Sequence, residues 1–128
     1  MKFGYTILYV DDVETTVSFY ERAFGLKRGM VVANEFGELD TGTTKLSFAA
    51  RAHVEKLFSI PVQQAGRDKP APPVEIALVT PGVEAAFKTA VEAGAVEVAA
   101  PAQKPWGQIV AYVRDNNGFL IEICTPVA

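Results

Sequence analysis

Two glutamates stand inside apolar, strand-like segments of the sequence, where a carboxylate is uncommon. Glu75 lies in the segment 74–80 and Glu122 in the segment 119–124, and each is followed by an isoleucine. Because successive side chains of a strand point to opposite faces, both carboxylates are expected on the face away from those isoleucines. Two carboxylates within a few ångströms of each other could act as general acid and general base. The alternative is that each accepts hydrogen bonds from Tyr5, Ser47 or the backbone and only shapes a polar patch.

Aromatic side chains offer a second kind of chemistry, the binding of flat or amphipathic molecules. Tyr5 and Tyr9 are expected on one face of the first strand-like segment. Trp106 lies just before a later strand-like segment, 108–114, and Tyr112 lies inside that segment. The candidates for ligand contact, with one serine among them, are Tyr5, Tyr9, Ser47, Phe48, Trp106 and Tyr112.

Trp106 allows two interpretations, because Pro105 and Gly107 bracket it just before a strand. A loop in this place could form a lid or wall over a binding cleft. It could also be a turn whose indole ring packs on the sheet. The sequence leaves both alternatives open.

The single histidine and the single cysteine carry less chemistry than the glutamates. His53 lies in a loop-like segment away from the strands, and Cys124 has no second cysteine with which to form an intrachain disulfide or a cysteine metal cluster. We therefore expect His53 to be a loop or short-helix residue and Cys124 to be a small buried hydrophobic residue.

Hydrophobic periodicity predicts the elements that must position these residues. A strand is predicted at 3–10, and a helix follows between a capping Asp12 and a terminating Gly25. Three short strands are then predicted, at 28–33, 38–40 and 45–49. The proline-rich segment 50–73, with a short helix at 52–58, is predicted to be a linker or covering loop. The same order then returns, with a strand at 74–80, a helix at 83–93 and strands at 95–99, 108–114 and 119–124.

An offset of 70 residues aligns the two halves without a gap from the first strand into the helix. It pairs Leu8 with Leu78 and Glu14 with Glu84. Such self-similarity is typical of a duplicated module. The fold class predicted from the residues is therefore α+β, built from two βαβββ modules.

Composition restricts the class of protein. The chain has 128 residues, of which 49% are hydrophobic, and a net charge of −3. One domain is the expected size, and the scattered basic residues predict no nucleic-acid partner. No segment has the length of a membrane span or the pattern of a secretory leader, so we expect no membrane association and a cytoplasmic location.

Two stretches carry a family resemblance. YVDDVETTVSFYERAFGL near the start and KPWGQIVAYVRDNNGFLIEICTP near the end are similar to the vicinal oxygen chelate superfamily, and the similarity extends from Tyr5 to Pro126. That superfamily contains glyoxalases, extradiol dioxygenases, fosfomycin-modifying enzymes and bleomycin resistance proteins. The resemblance implies a single domain over residues 1–128, with modules at 1–49 and 74–128 joined by a linker at 50–73. It also implies curved mixed sheets that enclose a cleft, and pairing with a second identical chain.

The resemblance further implies where a metal ion would bind, because metal-using members draw ligands from the first and last strands of each module. Those positions fall on Tyr5, Ser47, Glu75 and Glu122. Only the two glutamates are good ligands, since a neutral phenol or hydroxyl has little affinity for a divalent cation. We therefore expect no cofactor, with weak binding of Mg, Mn, Fe or Zn by Glu75 and Glu122 as the alternative.

Three functions follow as hypotheses. The first is a protein that binds a small aromatic or amphipathic compound without a tight metal site, as a resistance protein does by sequestration. The second is a lyase, isomerase or dioxygenase of the same superfamily that uses either a metal ion or the carboxylates of Glu75 and Glu122. A third is a subunit whose role is interaction with another chain.

Overall fold

The computed structural model describes residues 1–127, which form two compact units. The first unit comprises residues 1–21 and 25–64, and the second comprises residues 22–24 and the chain from Ala65 onward. The elements of the first half are β1 (Tyr5–Val10), α1 (Val13–Phe24), β2 (Lys27–Val32), β3 (Phe36–Asp40), β4 (Lys45–Ala50) and α2 (Arg51–Val54). Those of the second half are β5 (Glu75–Val79), α3 (Val83–Glu92), β6 (Val96–Gln103), β7 (Ile109–Arg114) and β8 (Leu120–Cys124).

Each half contains one four-stranded mixed sheet, and the two sheets have the same topology. The strand order is β1-β4-β3-β2 in the first sheet and β5-β8-β7-β6 in the second. The first and last strands of each half pair in parallel, and the remaining neighbours pair antiparallel. The predicted α+β class and the two βαβββ modules are confirmed.

Helix α1 begins and ends where its caps predict. The Asp12 side chain accepts a hydrogen bond from the Thr15 amide at 2.8 Å, and this satisfies one of the free donors of the first turn. Gly25 ends the helix in the left-handed conformation, with φ of 67°, which glycine adopts without steric cost.

Strand β6 is longer than predicted. The strand was predicted at 95–99, but it continues through Pro101 to Gln103. Because β6 is an edge strand, Pro101 can be accommodated without removing a donor that a central ladder needs. The register also shifts twice between Glu97 and Ala102, as expected of irregular edge pairing.

The core of each unit lies between its sheet and its helix. In the first unit Phe48 and Tyr20 are fully buried and their rings lie 4.9 Å apart. In the second unit Ile121, Ile123 and Val113 are buried to at least 99%. On the opposite face of the first sheet Ser47 and Ala49 are also buried, whereas Glu75 on the opposite face of the second sheet is exposed. No helix within residues 1–127 is long and apolar enough to span a membrane.

Candidate functional site

A groove of about 600 Å³ opens on the second unit. Most of its walls are apolar, and a carboxylate and a phenol supply its polar groups. The lining residues are Pro72, Pro73, Val74, Glu75, Val98, Tyr112 and Leu120. Its volume lies within the range of roughly 300–1,000 Å³ that is typical of small-molecule sites.

Strand alternation places the predicted glutamates on the face of the sheet that carries this groove. Glu75 is in register with Leu120 on β8, and Glu122 is in register with Tyr112 on β7. Their isoleucine neighbours point the other way, and Ile123 is buried in the core. From the strand rise and the spacing of paired strands, the Glu75 and Glu122 Cα atoms are about 8 Å apart on one face.

Tyr112 and Glu122 form the central polar contact of this face. The Tyr112 hydroxyl donates a hydrogen bond to Glu122 Oε1 at 3.1 Å. Burial raises the pKa of Tyr112, and the hydrogen bond and negative charge of Glu122 raise it further. The charge of Glu75 acts in the same direction. Tyr112 therefore stays a neutral hydrogen-bond donor across the physiological pH range.

Cys124 lies two residues after Glu122 on β8, so its side chain is on the same face of the sheet. Its side chain is 3% exposed, and burial together with Glu122 raises the pKa of the thiol from 9.0 to about 11. A protonated thiol is a weak nucleophile. Cys124 therefore fits the predicted role of a small buried residue and is unsuited to nucleophilic chemistry.

Trp106 lies apart from the groove, in the turn between β6 and β7. The indole N–H donates to Gln108 Oε1 at 2.8 Å, and 63% of the residue is exposed. With this exposure, the indole ring is not buried against the sheet. Trp106 also does not join Tyr112 in the groove lining.

Three other predicted contact residues belong to the first unit and share one face of its sheet. Tyr5 is 59% exposed and Tyr9 is half-buried on β1. Ser47 on β4 is fully buried, and its Oγ has no hydrogen-bond partner within residues 1–127. An unpaired buried hydroxyl costs roughly 1–3 kcal/mol, so this position is energetically unfavourable as it stands.

Phe48 requires a correction, because it lies on the other face of β4. Its register partner on β1 is Leu8, which is buried against the helix side, and Phe48 itself has 0% exposure. Neighbouring residues of a strand alternate, so Ser47 and Phe48 cannot face the same ligand. Phe48 is a core residue and has no surface with which to contact one.

The side chains at the family's metal positions do not fit a tightly bound divalent cation. Within residues 1–127, no three histidine, cysteine, aspartate or glutamate side chains come together as a ligand group. Glu122 Oε1 already accepts from Tyr112, and Ser47 offers only a neutral hydroxyl. A tight site needs several carboxylate or imidazole ligands. His53 lies on α2 of the first unit.

Five of the residues that line the groove were not predicted from the sequence as ligand contacts. Pro72 and Pro73 of its wall fall in the predicted linker, and Val74, Val98 and Leu120 were assigned only to strands. The adjacent prolines just before β5 were the available signal, since a rigid proline segment at a strand entrance can form a fixed wall.

Comparisons with known proteins agree with this architecture. A family model described as a glyoxalase-like domain matches residues 3–128. A glyoxalase-related enzyme from Fulvimarina pelagi is 18% identical with a TM-score of 0.85, and the alignment covers 98% of this chain and 88% of that one. A protein of unknown function from Agrobacterium tumefaciens str. C58 is 25% identical with a TM-score of 0.79, covering 98% and 94%.

TioX from Micromonospora sp. ML1 is also similar in structure, with 22% identity, a TM-score of 0.71 and 98% coverage of both chains. No curated protein matched the sequence significantly. The family model spans nearly the whole chain, and the similar structures share its fold. The chain therefore belongs to the glyoxalase-like domain family, within the vicinal oxygen chelate superfamily.

Proposed function

We propose that this protein binds a small aromatic or amphipathic molecule in the groove of the second unit, without a tightly held metal ion. The observation that carries the proposal is the groove itself, in which apolar walls surround the Tyr112 ring and the Glu75 carboxylate. Apolar walls with a few placed polar groups are the usual composition of a small-molecule site.

The charge of the groove favours a ligand that carries a positive charge. Glu75 lines the groove, Glu122 lies beside Tyr112, and the lining contains no lysine or arginine. Cationic groups are attracted to carboxylates and to the face of an aromatic ring. A planar aromatic cation therefore matches both the apolar walls and the negative charge of the groove.

Calorimetric titration tests the proposal with two matched dyes in the presence of EDTA. Proflavine is a planar aromatic cation, and acridine has the same ring system but is uncharged at pH 8. We expect one proflavine per chain and weaker binding of acridine. Failure of both dyes to bind, or binding that requires added manganese, would contradict the proposal.

Substitution of Glu75 separates the charge preference from the apolar contribution. Glu75→Gln should weaken proflavine binding about threefold to fivefold and leave acridine unchanged, since an exposed ion pair contributes about 0.5–1 kcal/mol. Glu97→Gln is the matched control, because Glu97 is in register with the buried Val113 and faces away from the groove. Equal weakening by both substitutions would contradict a specific contact with Glu75.

We also propose that the protein forms a homodimer that covers exposed apolar side chains on the two edge strands of the first sheet, β1 and β2. Tyr5, Ile7, Met30 and Val32 are each more than 40% exposed there. Large apolar side chains exposed in pairs on β1 and on β2 support an interaction surface at these edges. Light scattering should report twice the chain mass, and Ile7→Lys should reduce it toward one chain. A wild-type monomer at high concentration would contradict the dimer.

A further inference from the structure

The wall of the groove belongs to a short segment, residues 66–74, that we call the strap. Its own backbone hydrogen bonds are local, from the Lys69 amide to Gly66 O at 3.1 Å and from the Val74 amide to Pro72 O at 2.8 Å. Pro70, Pro72 and Pro73 have no amide hydrogen to donate. Within residues 1–127 the strap does not pair with a strand of the sheet. Side-chain contacts must therefore fix its position.

One side chain of the sheet, Arg114 at the end of β7, supplies these contacts. Its Nη2 donates to Lys69 O at 2.7 Å and to Gly66 O at 3.1 Å, and its Nη1 donates to Arg67 O at 3.4 Å. Its Nε donates to Gly118 O at 2.8 Å. The planar guanidinium presents five N–H donors in a fixed arrangement, and here it joins the strap to the turn between β7 and β8.

Gly118 allows the strap to approach this turn closely. A Cβ atom at position 118 would lie 2.5 Å from Gly66 O and 2.7 Å from Arg114 Nη2, and the backbone has φ of +89°. Any side chain there would push the strap outward. The turn and Arg114 therefore fix the strap from two directions.

The strap ends in the groove wall. Its residues Pro72, Pro73 and Val74 face a space that Leu120 and Tyr112 line from the sheet, and Leu120 is the register partner of Arg114. Arg114 itself does not line the groove. Its hydrogen bonds act on the end of the strap that precedes the wall by three to six residues.

We propose that Arg114 is a positioning residue that holds the strap against the sheet, so that the groove is formed before a ligand arrives. This inference rests on the proposed function for the identity of the groove as the ligand site. A preformed wall avoids the entropic cost of ordering a loop on binding, and this raises affinity. Arg114 thereby controls binding without touching the ligand.

Arg114→Lys tests the inference, because lysine keeps the charge but cannot reach four carbonyls in one plane. Hydrogen exchange without ligand should accelerate roughly tenfold at the Lys69 and Val74 amides, while exchange in the core strands stays unchanged. Proflavine binding should weaken about fivefold or more through the loss of preorganisation. Faster exchange only at the strap amides would indicate a positioning role, because a general loss of stability would also accelerate exchange in the core strands.

Two further variants complete the test. Arg28→Lys is the matched control, because Arg28 also makes several side-chain hydrogen bonds, with Glu14 and Glu21 of the first unit. It should leave both the strap amides and proflavine binding unchanged. Gly118→Ala keeps the arginine but places a Cβ against Gly66 O and Arg114 Nη2, so it should displace the strap and reproduce both effects of Arg114→Lys.

The outcomes separate this inference from the proposed function. Unchanged exchange in Arg114→Lys and Gly118→Ala would overturn the positioning role. A loosened strap with unchanged proflavine affinity would overturn the strap as a wall of the ligand site. If wild-type protein binds no proflavine while the strap loosens in the variants, the proposed function fails and the positioning role stands.

Discussion

Tyr112 and Glu122 face each other across the antiparallel pair β7–β8, and the phenol donates to the carboxylate at 3.1 Å. This contact fixes the orientation of the ring that lines the groove. It also leaves the Tyr112 hydroxyl without a second proton to donate, so a ligand would meet the ring and an accepting oxygen. The groove thus favours a ligand with hydrogen-bond donors or positive charge.

Glu122→Gln should lower the pKa of Tyr112. The wild-type pKa is raised by burial first and by the hydrogen bond and charge of Glu122 second, so the variant should retain only the parts due to burial and to the Glu75 charge. NMR titration of the tyrosine rings measures the change, with Glu97→Gln as the control. A Tyr112 ring that titrates in wild-type protein at the pH of free tyrosine would contradict the contact.

Cys124 should react slowly with iodoacetamide in the folded protein. Its pKa of about 11 lies two pH units above the ordinary 9.0, which reduces the thiolate roughly 100-fold at pH 8, and burial hinders access further. Mass spectrometry against the urea-unfolded chain measures the ratio of the two rates. Labelling at the rate of the unfolded chain would contradict the buried position.

The raised pKa of Cys124 also makes the free energy of unfolding depend on pH. Because the folded pKa of Cys124 is above the unfolded value, its contribution is fully present below pH 9.0 and is lost as the pH rises through about 11. Cys124→Ala should therefore lose less stability than wild-type protein between these two pH values in urea unfolding. An identical loss in both proteins would show that the thiol does not contribute.

Ser47→Ala should stabilise the first unit. The Ser47 Oγ is buried without a hydrogen-bond partner within residues 1–127, so removing it should raise the free energy of unfolding by about 1 kcal/mol. Urea unfolding measures the change. A loss of similar size would instead indicate that a water molecule or a partner group satisfies the hydroxyl in solution.

Phe48→Ala should destabilise the protein without changing its ligand affinity. Phe48 is fully buried against Tyr20, and the truncation of a core phenylalanine costs about 3–5 kcal/mol. Leu57→Ala is the exposed control and should cost no more than about 0.5 kcal/mol. If folded Phe48→Ala protein binds proflavine more weakly than wild-type protein, the result would support Phe48 as a ligand-contact residue and contradict its assignment to the core alone.

The order of the elements could be predicted because their signals are local. Asp12 and Gly25 mark the ends of α1, and alternating residues mark the strands. The length of β6 could not be predicted, because whether Pro101 ends a strand depends on whether that strand is an edge. That information lies in the pairing of distant strands.

The site was predictable only in part for the same reason. Alternation placed Glu75 and Glu122 on one face, and the structure brings Tyr112 to them through the register of β7 with β8. Phe48 was misassigned because its aromatic character was weighed without its strand parity. The hydrogen bonds from Arg114 to the strap carry no local signal, since they join residues more than 40 positions apart.

NMR mapping of proflavine binding shows whether the groove of the second unit is the ligand site. We predict saturable shifts in the amide signals of Val74, Glu75, Val98, Tyr112 and Leu120, with the signals of the first sheet unchanged. Saturable shifts confined to the first sheet, or no saturable shifts at any residue, would contradict it.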